Sequence, residues 1–317
     1  MYAIGVDLGG TNVKAGLVHA EQGLLYQHSE PTYAHEGLQA TLDRIGNAVK
    51  TVMEQLPEGS AARGIGIGAP GMISLDRKSV SNPPNLPGWE HVRLSEELHT
   101  RTGLACLVEN DANMMALGSA RFGAGAPFQH FIMLTLGTGV GGGIIINNDV
   151  FRGATGAAGE LGHITIDYKG AMCNSPVPGA IEAYLGQRFL SKRAGEEIIK
   201  HPENQLYKEF SGHFEDLEPH HLTEAAEAGN PLGAQILADA GRRLGYAIVS
   251  YTHTLDIRKY VISGGVAKAG KWILEPAYQA AMERLMPPFR ADFELLPEKL
   301  GNEAALLGSA ALALEHL

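Results

Sequence analysis

The sequence predicts an α/β protein built from two similar halves. Residues 1–18 and residues 131–147 each run from an apolar strand through a glycine-rich turn into a second strand. Around and after these openings, short apolar runs alternate with segments of helical periodicity, which is the pattern of α/β folds. The repeated opening predicts an internal duplication with a cleft between the two halves.

The composition narrows the class of protein. A chain of 317 residues with 44% hydrophobic content can bury a large core and is long enough for two domains. Its 35 acidic and 25 basic residues give a net charge of −10, which argues against a nucleic-acid surface. Cys106 and Cys173 are too few for a disulfide framework, so we expect a reducing compartment. We find no signal peptide and no run of ~18 apolar residues, so we expect a cytoplasmic protein without a membrane span.

The first glycine-rich turn follows an apolar strand at residues 1–6. Gly9 and Gly10 form the predicted tip of a hairpin, and a second strand covers residues 13–18. Backbone N–H groups in such a turn can converge on an anion. Asp7 would repel phosphate unless a cation lay between them, which indicates hydrated Mg²⁺ near Asp7 and a nucleotide site. An ordinary Gly-Gly hairpin is the alternative for this segment.

The next segments are a helix, a strand and a loop. Apolar spacing predicts an amphipathic helix over residues 38–53, and residues 64–69 form a buried strand that ends in the turn Pro70-Gly71. The proline-rich loop 82–89 lines a ligand or serves as a structural turn, and both interpretations stay open.

Asp111 is the candidate general base. Leu107 and Val108 end a buried strand, and a helix follows from Ala112 to Phe122. A carboxylate at the carboxyl end of a strand, opening onto a helix, lies where open α/β folds place their chemistry. The alternative is that Asp111 only caps the helix. The glycine-rich turns at 9–11 and 137–143, on either side of this stretch, favour the functional interpretation.

The second glycine-rich turn lies between predicted strands at 131–136 and 144–146. Gly137, Gly139 and Gly142 fit the pattern G-x-G-x-x-G of dinucleotide-binding folds. That motif must open a helix, whereas β-branched isoleucines follow here. We therefore predict a second hairpin and reject a nicotinamide dehydrogenase.

The remaining segments carry fewer polar groups. Glu160 and His163 lie in a predicted turn that leads into a strand, and Glu182 lies near the start of a helix over 180–190, where it could merely favour the helix dipole. His220 and His221 fall in a predicted solvated loop. Asn230 and Pro231 predict the start of a long helix. A strand at 260–263 turns at Gly264-Gly265 and is followed by a helix at 272–285, a strand at 293–296 and a closing helix at 303–317.

Together these segments resemble the ROK family of sugar kinases and sugar-responsive repressors, which has the actin/hexokinase-type fold. The resemblance covers nearly the whole chain. Residues 7–11 and 136–143 match the two phosphate loops of the family, and residues 263–266 match its adenosine segment. Residues 84–89, 109–113 and 159–163 match its sugar-side motifs.

The resemblance implies a fold and an activity. The fold would be a duplicated actin/hexokinase-like (ribonuclease H-like) arrangement of two domains with an interdomain cleft. The first domain would cover residues 1–111, completed by the helix at about 303–317, and the second would cover residues 112–302. The activity would be ATP-dependent transfer of the γ-phosphate to a sugar 6-hydroxyl, with glucose as the expected sugar and Asp111 as general base.

The resemblance also implies the site residues. Those lining the sugar would be Gly71, Asn85, Asn110, Asp111, Glu160, His163 and Glu182. Those binding ATP would be Asp7, Gly9, Gly10, Thr11, Lys14, Gly137, Thr138, Gly139, Gly264 and Gly265. Mg²⁺ would be held near Asp7 through water.

The family resemblance allows two other functions. One is a kinase for N-acetylmannosamine or N-acetylglucosamine, which would use the same polar residues. The other is a sugar-sensing transcriptional regulator without enzymatic activity, which the net charge of −10 and the strand at the very N-terminus disfavour. The expected partners are a free sugar and ATP, with no nucleic acid and no membrane, and the expected assembly is a homodimer or tetramer.

One departure from the family concerns zinc. The family pattern is Cys-x-Cys-Gly-x-x-Gly-Cys-x-Glu, with a histidine as the fourth zinc ligand. The chain keeps Cys173, Gly179 and Glu182, but has Ser175, Pro176 and Ala180 where Cys, Gly and Cys are usual. His163 and Cys173 alone do not make a tetrahedral structural site. We therefore expect no structural zinc.

Overall fold

The first sheet begins with the predicted hairpin. In the structure, a computed structural model that describes residues 1–317 apart from the side chain of residue 302, β1 (Tyr2–Leu8) pairs antiparallel with β2 (Asn12–His19). The next strand, β3 (Gly23–Pro31), continues the antiparallel ladder and was not predicted from the sequence. On the other side of β1, β4 (Ala62–Ala69) and β7 (Cys106–Asn110) add in parallel, giving the order β3-β2-β1-β4-β7.

Two helices and a small two-stranded sheet share a hydrophobic core with the first sheet. The predicted helix at 38–53 is confirmed as α1 (Leu38–Met53), and its stripe of buried residues packs into the same core as β1 and β4. The second helix, α2 (Leu94–Thr102), contributes Leu94 and Leu98 to that core. β5 (Met72–Ile73) and β6 (Val80–Ser81) form a separate two-stranded sheet.

Two further helices pack closely through glycine. These are α3 (Asp111–Phe122) and α10 (Ala304–His316), which were both predicted. A side chain at Gly308 would overlap the carbonyl of Met114, and one at Gly118 would overlap the carbonyl of Ala304. Because neither glycine has a Cβ atom, the two helix backbones can approach each other directly.

The second sheet repeats the strand order of the first. Its strands are β8 (Phe131–Leu136), β9 (Val140–Ile146), β10 (Asp149–Val150), β11 (Lys259–Ser263) and β12 (Glu294–Pro297), in the order β10-β9-β8-β11-β12. β8, β11 and β12 are parallel, and β9 and β10 are antiparallel. The shared order and the shared mixture of strand directions agree with the predicted duplication.

The second hairpin turn is shorter than predicted. β9 begins at Val140, so Gly142 and Gly143 lie in a strand rather than in the turn. A Cβ atom at Gly142 would lie 2.5 Å from the Leu161 side chain, and one at Gly143 would lie 2.5 Å from Cβ of Ala116. The glycines there serve close packing, which the sequence alone does not distinguish from turn formation.

The helices that follow β10 are α4 (Glu182–Leu185), α5 (Gln187–Ile198), α6 (Gln205–Phe210), α7 (Pro219–Glu227), α8 (Pro231–Leu255) and α9 (Lys271–Arg284). The predicted start of α8 is confirmed, because Oδ1 of Asn230 accepts the N–H groups of Leu232 and Gly233. The single helix predicted over 180–190 is wrong: Gly186 adopts an extended conformation (ψ 133°) that separates α4 from α5. The strand predicted after His163 is also wrong, since residues 164–166 contribute only an isolated bridge from Thr165 to Ala180.

Internal contacts group the chain into two compact units. The first comprises Met1–His130, Gly143–Gly159 and Glu298–Leu317, and the second comprises Phe131–Gly142 and Glu160–Pro297. This grouping places α3 in the first unit, whereas the predicted domain division falls at Asp111. The division into functional domains therefore stays a prediction. Within the described residues, no helix is both long enough and apolar enough for a membrane span.

Candidate active site

In the first unit, three parallel strands end at one edge of the sheet. Asp7 on β1 lies opposite Gly68 on β4, and Gly68 lies opposite Glu109 on β7. The residues that follow these positions therefore emerge side by side. Such an edge is where open α/β sheets bind their ligands.

Asp7 and Lys14 face each other across the first hairpin. They are paired residues of β1 and β2, and Nζ of Lys14 lies 3.4 Å from Oδ2 of Asp7. Burial raises the pKa of Asp7 above its usual range, and the nearby ammonium of Lys14 opposes that rise. The Asp7 side chain keeps 23% of its surface exposed, so a hydrated cation could still reach it. This arrangement fits outer-sphere binding of Mg²⁺, which tends to keep several of its waters.

The turn between β1 and β2 is fastened by Thr32. Its Oγ1 donates to the carbonyl of Gly9 at 2.7 Å, and its N–H donates to the carbonyl of Thr11 at 2.8 Å. The N–H of Gly9 donates to the carbonyl of Asn12, so Gly9 cannot offer that group to a ligand. The candidate donors for an anion are therefore the N–H groups of Gly10 and Thr11.

Gly71 and Asn85 lie in loops of the same unit. Gly71 has a φ of 93°, and a Cβ atom there would lie 2.8 Å from the carbonyl oxygen of Ser81, so the backbone requires glycine. Asn85 has a φ of 66°, and its Cβ would lie 2.9 Å from a Cβ added at Gly10. The structure thus brings Asn85 to the first glycine-rich turn. Leu86 and Trp89, both buried, anchor the proline-rich loop in the core.

Asn110, not Asp111, caps α3. Oδ1 of Asn110 accepts the N–H groups of Ala112 at 3.0 Å and Asn113 at 3.3 Å, and Asp111 is the first residue of the helix. The alternative that Asp111 serves only as the cap is therefore wrong. Oδ1 of Asp111 accepts the N–H of Ala112 at 2.8 Å, which holds the carboxylate at the helix N-terminus. With its oxygen engaged in the cap, Asn110 would offer a ligand mainly the N–H donors of Nδ2.

Behind these residues lies a charged cluster that sequence reasoning missed. Glu109 is fully buried, and its carboxylate contacts Arg77 and Arg152. A buried acid directly after two apolar strand residues was visible in the sequence. Its two arginine partners gave no sequence signal.

In the second unit, the parallel strands β8 and β11 end at the same edge of the second sheet. Ser263 lies opposite Thr135, so the turn 137–139 and the segment Gly264-Gly265 follow neighbouring strands. Gly264 has a φ of 100°, and a side chain there would overlap the backbone of Leu136. By contrast, a Cβ atom at Gly265 would meet no described atom within 4 Å. Both predicted nucleotide segments of this unit therefore lie at one edge.

Glu182 is hydrogen-bonded to the residue that follows the second glycine-rich turn, at residues 137–139. Its Oε2 accepts the N–H of Val140 at 3.1 Å. Because Glu182 is also the first residue of α4, one carboxylate links that helix to the start of β9. The structure therefore gives this residue a definite position beside the turn.

Glu160 directly precedes the short 3₁₀ helix Leu161–His163, and His163 is its last residue. Nε2 of His163 lies 3.7 Å from Oε2 of Glu160, whose side chain is 68% exposed. Nδ1 of His163 is buried and has no hydrogen-bond partner among the described atoms. Donor atoms of His163, Cys173 and Glu182 lie within 4.8 Å of one another.

These donors do not fit a closed structural zinc site, which needs four ligands. At the family's second cysteine position stands Ser175, whose Oγ lies 3.3 Å from Sγ of Cys173. At the family's third cysteine position stands Ala180, whose side chain has no donor atom. Three donors, two of them the candidate sugar ligands His163 and Glu182, leave such a site incomplete.

A cavity of about 750 Å³ adjoins the second glycine-rich turn, in the second unit. Thr138 lines it at the turn, and one face of α5 forms its wall. The cavity is also lined by Arg188, Lys192, Phe214 and Glu218. These residues were not predicted from the sequence, because no motif marks them.

Known proteins resemble this chain over its whole length. The profile of the ROK family matches residues 3–316. A glucokinase from Thermotoga maritima is 33% identical over 314 residues, which are 99% of this chain and 98% of that protein. A xylose repressor from Bacillus subtilis is 28% identical over 320 residues, covering 99% of this chain and 77% of the repressor.

A solved structure agrees with the fold. The crystal structure of a ROK family glucokinase from Streptomyces griseus in complex with glucose and AMPPNP is 34% identical. The match covers 99% of this chain and 100% of that one, with a TM-score of 0.83. The predicted actin/hexokinase-like fold class is confirmed, and the chain belongs to the ROK family.

Proposed function

We propose that this protein, a sugar kinase, transfers the γ-phosphate of ATP to the 6-hydroxyl of glucose. The observation that carries the mechanism is the position of Asp111 at the start of α3, with Asn110 providing the cap. The substrate is supported by the full-length similarity to proteins named glucokinase and by the neighbour bound to glucose and AMPPNP. Free sugar and ATP would be its partners, in the cytoplasm.

Asp111 acts in this proposal as the general base. It takes the proton of the sugar hydroxyl as that oxygen attacks the γ-phosphorus in line. A base must be ionised, and the N-terminus of a helix stabilises a carboxylate there. The N–H of Ala112 holds the carboxylate in one orientation, which favours a repeatable approach to the hydroxyl.

The sugar would be selected by groups that pair with its hydroxyls. Asn110 can donate through Nδ2, Glu160 and Glu182 can accept, and His163 can do either according to its protonation. Asn85 and the backbone at Gly71 would complete the set. A sugar with one misplaced hydroxyl would leave such groups unpaired, and rejection follows from that loss.

ATP would use both glycine-rich turns. The N–H groups of Gly10 and Thr11 in one turn, and of Thr138 and Gly139 in the other, offset negative charge on the phosphoryl oxygens. The nucleoside would occupy the 750 Å³ cavity beside Thr138. It would also contact Gly264 and Gly265, which follow the strand beside β8. Arg188 and Lys192 provide positive charge there, Phe214 provides an apolar surface, and Glu196, Glu215 and Glu218 provide carboxylates. Lys14 and Asp7 flank the first turn, and Mg²⁺ held near Asp7 through water would neutralise phosphate charge.

The test is ADP release by the purified protein across a panel of glucose, mannose, N-acetylglucosamine and N-acetylmannosamine. Asp111→Asn, purified identically, controls for contaminating kinases. The proposal expects the highest kcat/KM with glucose and no turnover of 6-deoxyglucose, which lacks the accepting hydroxyl. A higher kcat/KM with an N-acetylated sugar than with glucose would identify that sugar as the substrate. No sugar-dependent ADP release would contradict the enzymatic assignment and favour a sugar-sensing regulator.

A further inference from the structure

Glu109 places a negative charge in the interior of the first unit, directly before the candidate base. Its side chain has no exposed surface, so it cannot itself contact a sugar or a nucleotide. Oε2 lies 3.3 Å from Nε of Arg77 and 2.7 Å from Nε of Arg152. A buried carboxylate is expensive unless it is paired and hydrogen-bonded. Arg77 and Arg152, themselves 13% and 12% exposed, both form ion pairs with it. Nε of Arg77 also donates a hydrogen bond, whereas Nε of Arg152 has no hydrogen-bond partner among the described atoms.

The other oxygen of Glu109 accepts hydrogen bonds from residues on both sides of Asp111. Oε1 accepts the backbone N–H of Asn110 at 2.9 Å and the side-chain N–H of Asn113 at 3.2 Å. Asn110 precedes Asp111, and Asn113 lies two residues after it. One carboxylate oxygen therefore holds the chain on both sides of the candidate base.

The two arginines are fixed in turn by the backbone. Nη1 of Arg152 donates to the carbonyl of Leu75 at 2.7 Å, and Nη2 donates to the carbonyl of Ser74 at 2.8 Å. The carbonyl of Arg77 accepts the N–H of Val108, the residue before Glu109, at 2.8 Å. The cluster thus joins three segments that are distant in sequence: the turn at 74–77, the end of β7 and the loop that carries Arg152.

We propose that Glu109 and Arg152 are positioning residues that set the orientation of Asp111 for proton transfer. The inference rests on the proposed function, in which Asp111 is the base. In this proposal each residue acts through the first turn of α3 and not by contact with the substrate. A catalytic group displaced by about 1 Å can lose about 10²-fold in rate, so a support of this kind would govern kcat.

Glu109→Gln keeps the shape of the side chain but removes its charge. Its NH2 group would replace either Oε1 or Oε2, and in both orientations it would face N–H donors, so the hydrogen bonds on either side of Asp111 should shift. We expect kcat to fall by roughly 10–100-fold, with little change in KM for ATP and a smaller change in KM for glucose, because Asn110 is only one of the proposed sugar ligands.

The decisive experiment is a double-mutant cycle in the full-length protein. The single variants are Glu109→Gln and Asp111→Asn, and the double variant carries both. If Glu109 acts through Asp111, its substitution should lower kcat in the wild-type background but leave the residual rate of Asp111→Asn unchanged. Equal loss in both backgrounds, or no loss in either, would overturn the inference. By contrast, Asp111→Asn with more than about a tenth of wild-type kcat would contradict the base itself, so the two failures are distinguishable.

A second series covers the case in which Glu109→Gln does not fold, or Asp111→Asn has no measurable rate. Arg152→Met should lower kcat, and Arg152→Lys, which keeps the charge, should recover part of it. Arg101→Met is the matched control, because Arg101 is 16% exposed, pairs with Asp43 and Glu97, and lies in the same unit. Both Met variants should lower Tm, but only Arg152→Met should lower kcat. Equal kcat in the two Met variants would overturn the inference.

Discussion

Glu182 accepts the N–H of Val140, and the same carboxylate oxygen occupies the space that a side chain at Gly139 would need. A proposed sugar ligand is therefore held by the turn that is proposed to bind phosphate. The absence of a Cβ atom at Gly139 is what allows Glu182 to lie there. The two proposed functions of this edge, sugar recognition and phosphate binding, share one contact.

The first prediction is that Gly139→Ala raises KM for glucose. The new methyl group would displace the Glu182 carboxylate, which is the flexible end of a side chain, so the fold should survive. Loss of one hydrogen bond to a charged group costs about 1.5–3 kcal/mol, or roughly 10–100-fold in kcat/KM for glucose. The matched control is Gly137→Ala, where the methyl group meets no described atom within 4 Å. Steady-state kinetics should show a normal KM for glucose in that control, and an equal rise in both variants would contradict the mechanism.

The second prediction concerns Asp111→Asn. Because Asn110 provides the cap, the substitution should leave α3 and the melting temperature nearly unchanged. Removal of a general base typically costs ~10²–10⁴-fold, and we expect kcat to fall by that factor. Equilibrium binding of glucose, measured by calorimetry, should persist. A fall in kcat accompanied by loss of the helical circular dichroism signal would instead indicate a structural role.

The third prediction follows from the raised pKa of Asp7, in which burial is the largest cause. The folded state disfavours the ionised carboxylate, so its contribution is most favourable below the ordinary pKa of 3.8 and is lost as pH rises through the raised folded pKa. Asp7→Asn should therefore raise the unfolding midpoint at neutral pH, and this advantage should shrink as the pH falls toward 3.8. Activity should fall, because the variant lacks the charge proposed to hold Mg²⁺.

Asp76 provides the control of opposite sign. Its pKa is lowered, chiefly because Ser74 donates a hydrogen bond to the carboxylate. Asp76→Asn should therefore reduce stability at neutral pH, and the reduction should diminish on acidification. Thermal melts of both variants from neutral to acidic pH would test the pair. A lower midpoint for Asp7→Asn at neutral pH would show that its ion pair with Lys14 outweighs burial.

Much of the fold was predictable because its signals are local. The periodicity of residues 38–53 and the pair Asn230-Pro231 mark helices without reference to the rest of the chain. β3 was missed because its residues alternate between partly buried and exposed, so it lacks an apolar run. His221 was placed in a loop, whereas it forms a capping box with Glu218 at the start of α7, a role usually taken by Glu or Gln.

The contacts that hold the candidate site residues in position were less predictable from the sequence than the residues themselves. Asp111 could be singled out from one stretch of sequence, but the pairing of Arg77 with Glu109 spans 32 residues and depends on the folded turn. The cap at Asn110 depends on the backbone direction at the end of β7. Contacts of this kind need the three-dimensional structure. The ligand roles of the predicted site residues stay predictions.

The loop that carries zinc in the family is held here by hydrogen bonds. The N–H of Gly179 donates to the carbonyl of Ala171 at 2.7 Å, and the N–H of Ala171 donates to Oη of Tyr184 at 3.1 Å. Arg188 donates to Oδ1 of Asn174 at 3.0 Å. The Tyr184 ring also lies under the guanidinium groups of Arg193 and Arg243. These contacts offer the loop a support that does not involve metal.

The fourth prediction is that the purified protein carries no structural zinc. A complete site contributes about 10–16 kcal/mol of apparent binding free energy, and it uses deprotonated thiolates that Ser175 and Ala180 do not supply. Elemental analysis after dialysis should find far less than one zinc per chain. Chelator should leave Tm unchanged, and also activity once Mg²⁺ is restored. Tyr184→Phe removes the hydroxyl that accepts from Ala171, so it should lower Tm and raise KM for the sugar.

A tightly held zinc at about one per chain would contradict the fourth prediction, and the structure indicates where it would bind. His163, Cys173 and Glu182 are the described donors that lie within 4.8 Å of one another. Cys173→Ser should then release the metal, whereas Cys106→Ser should not, because Cys106 is buried in the core of the first unit. Zinc retained in both variants would exclude either thiol as a ligand. With no zinc in the wild-type protein, Cys173→Ser should leave Tm nearly unchanged, since its recorded side-chain contact is with the hydroxyl of Ser175.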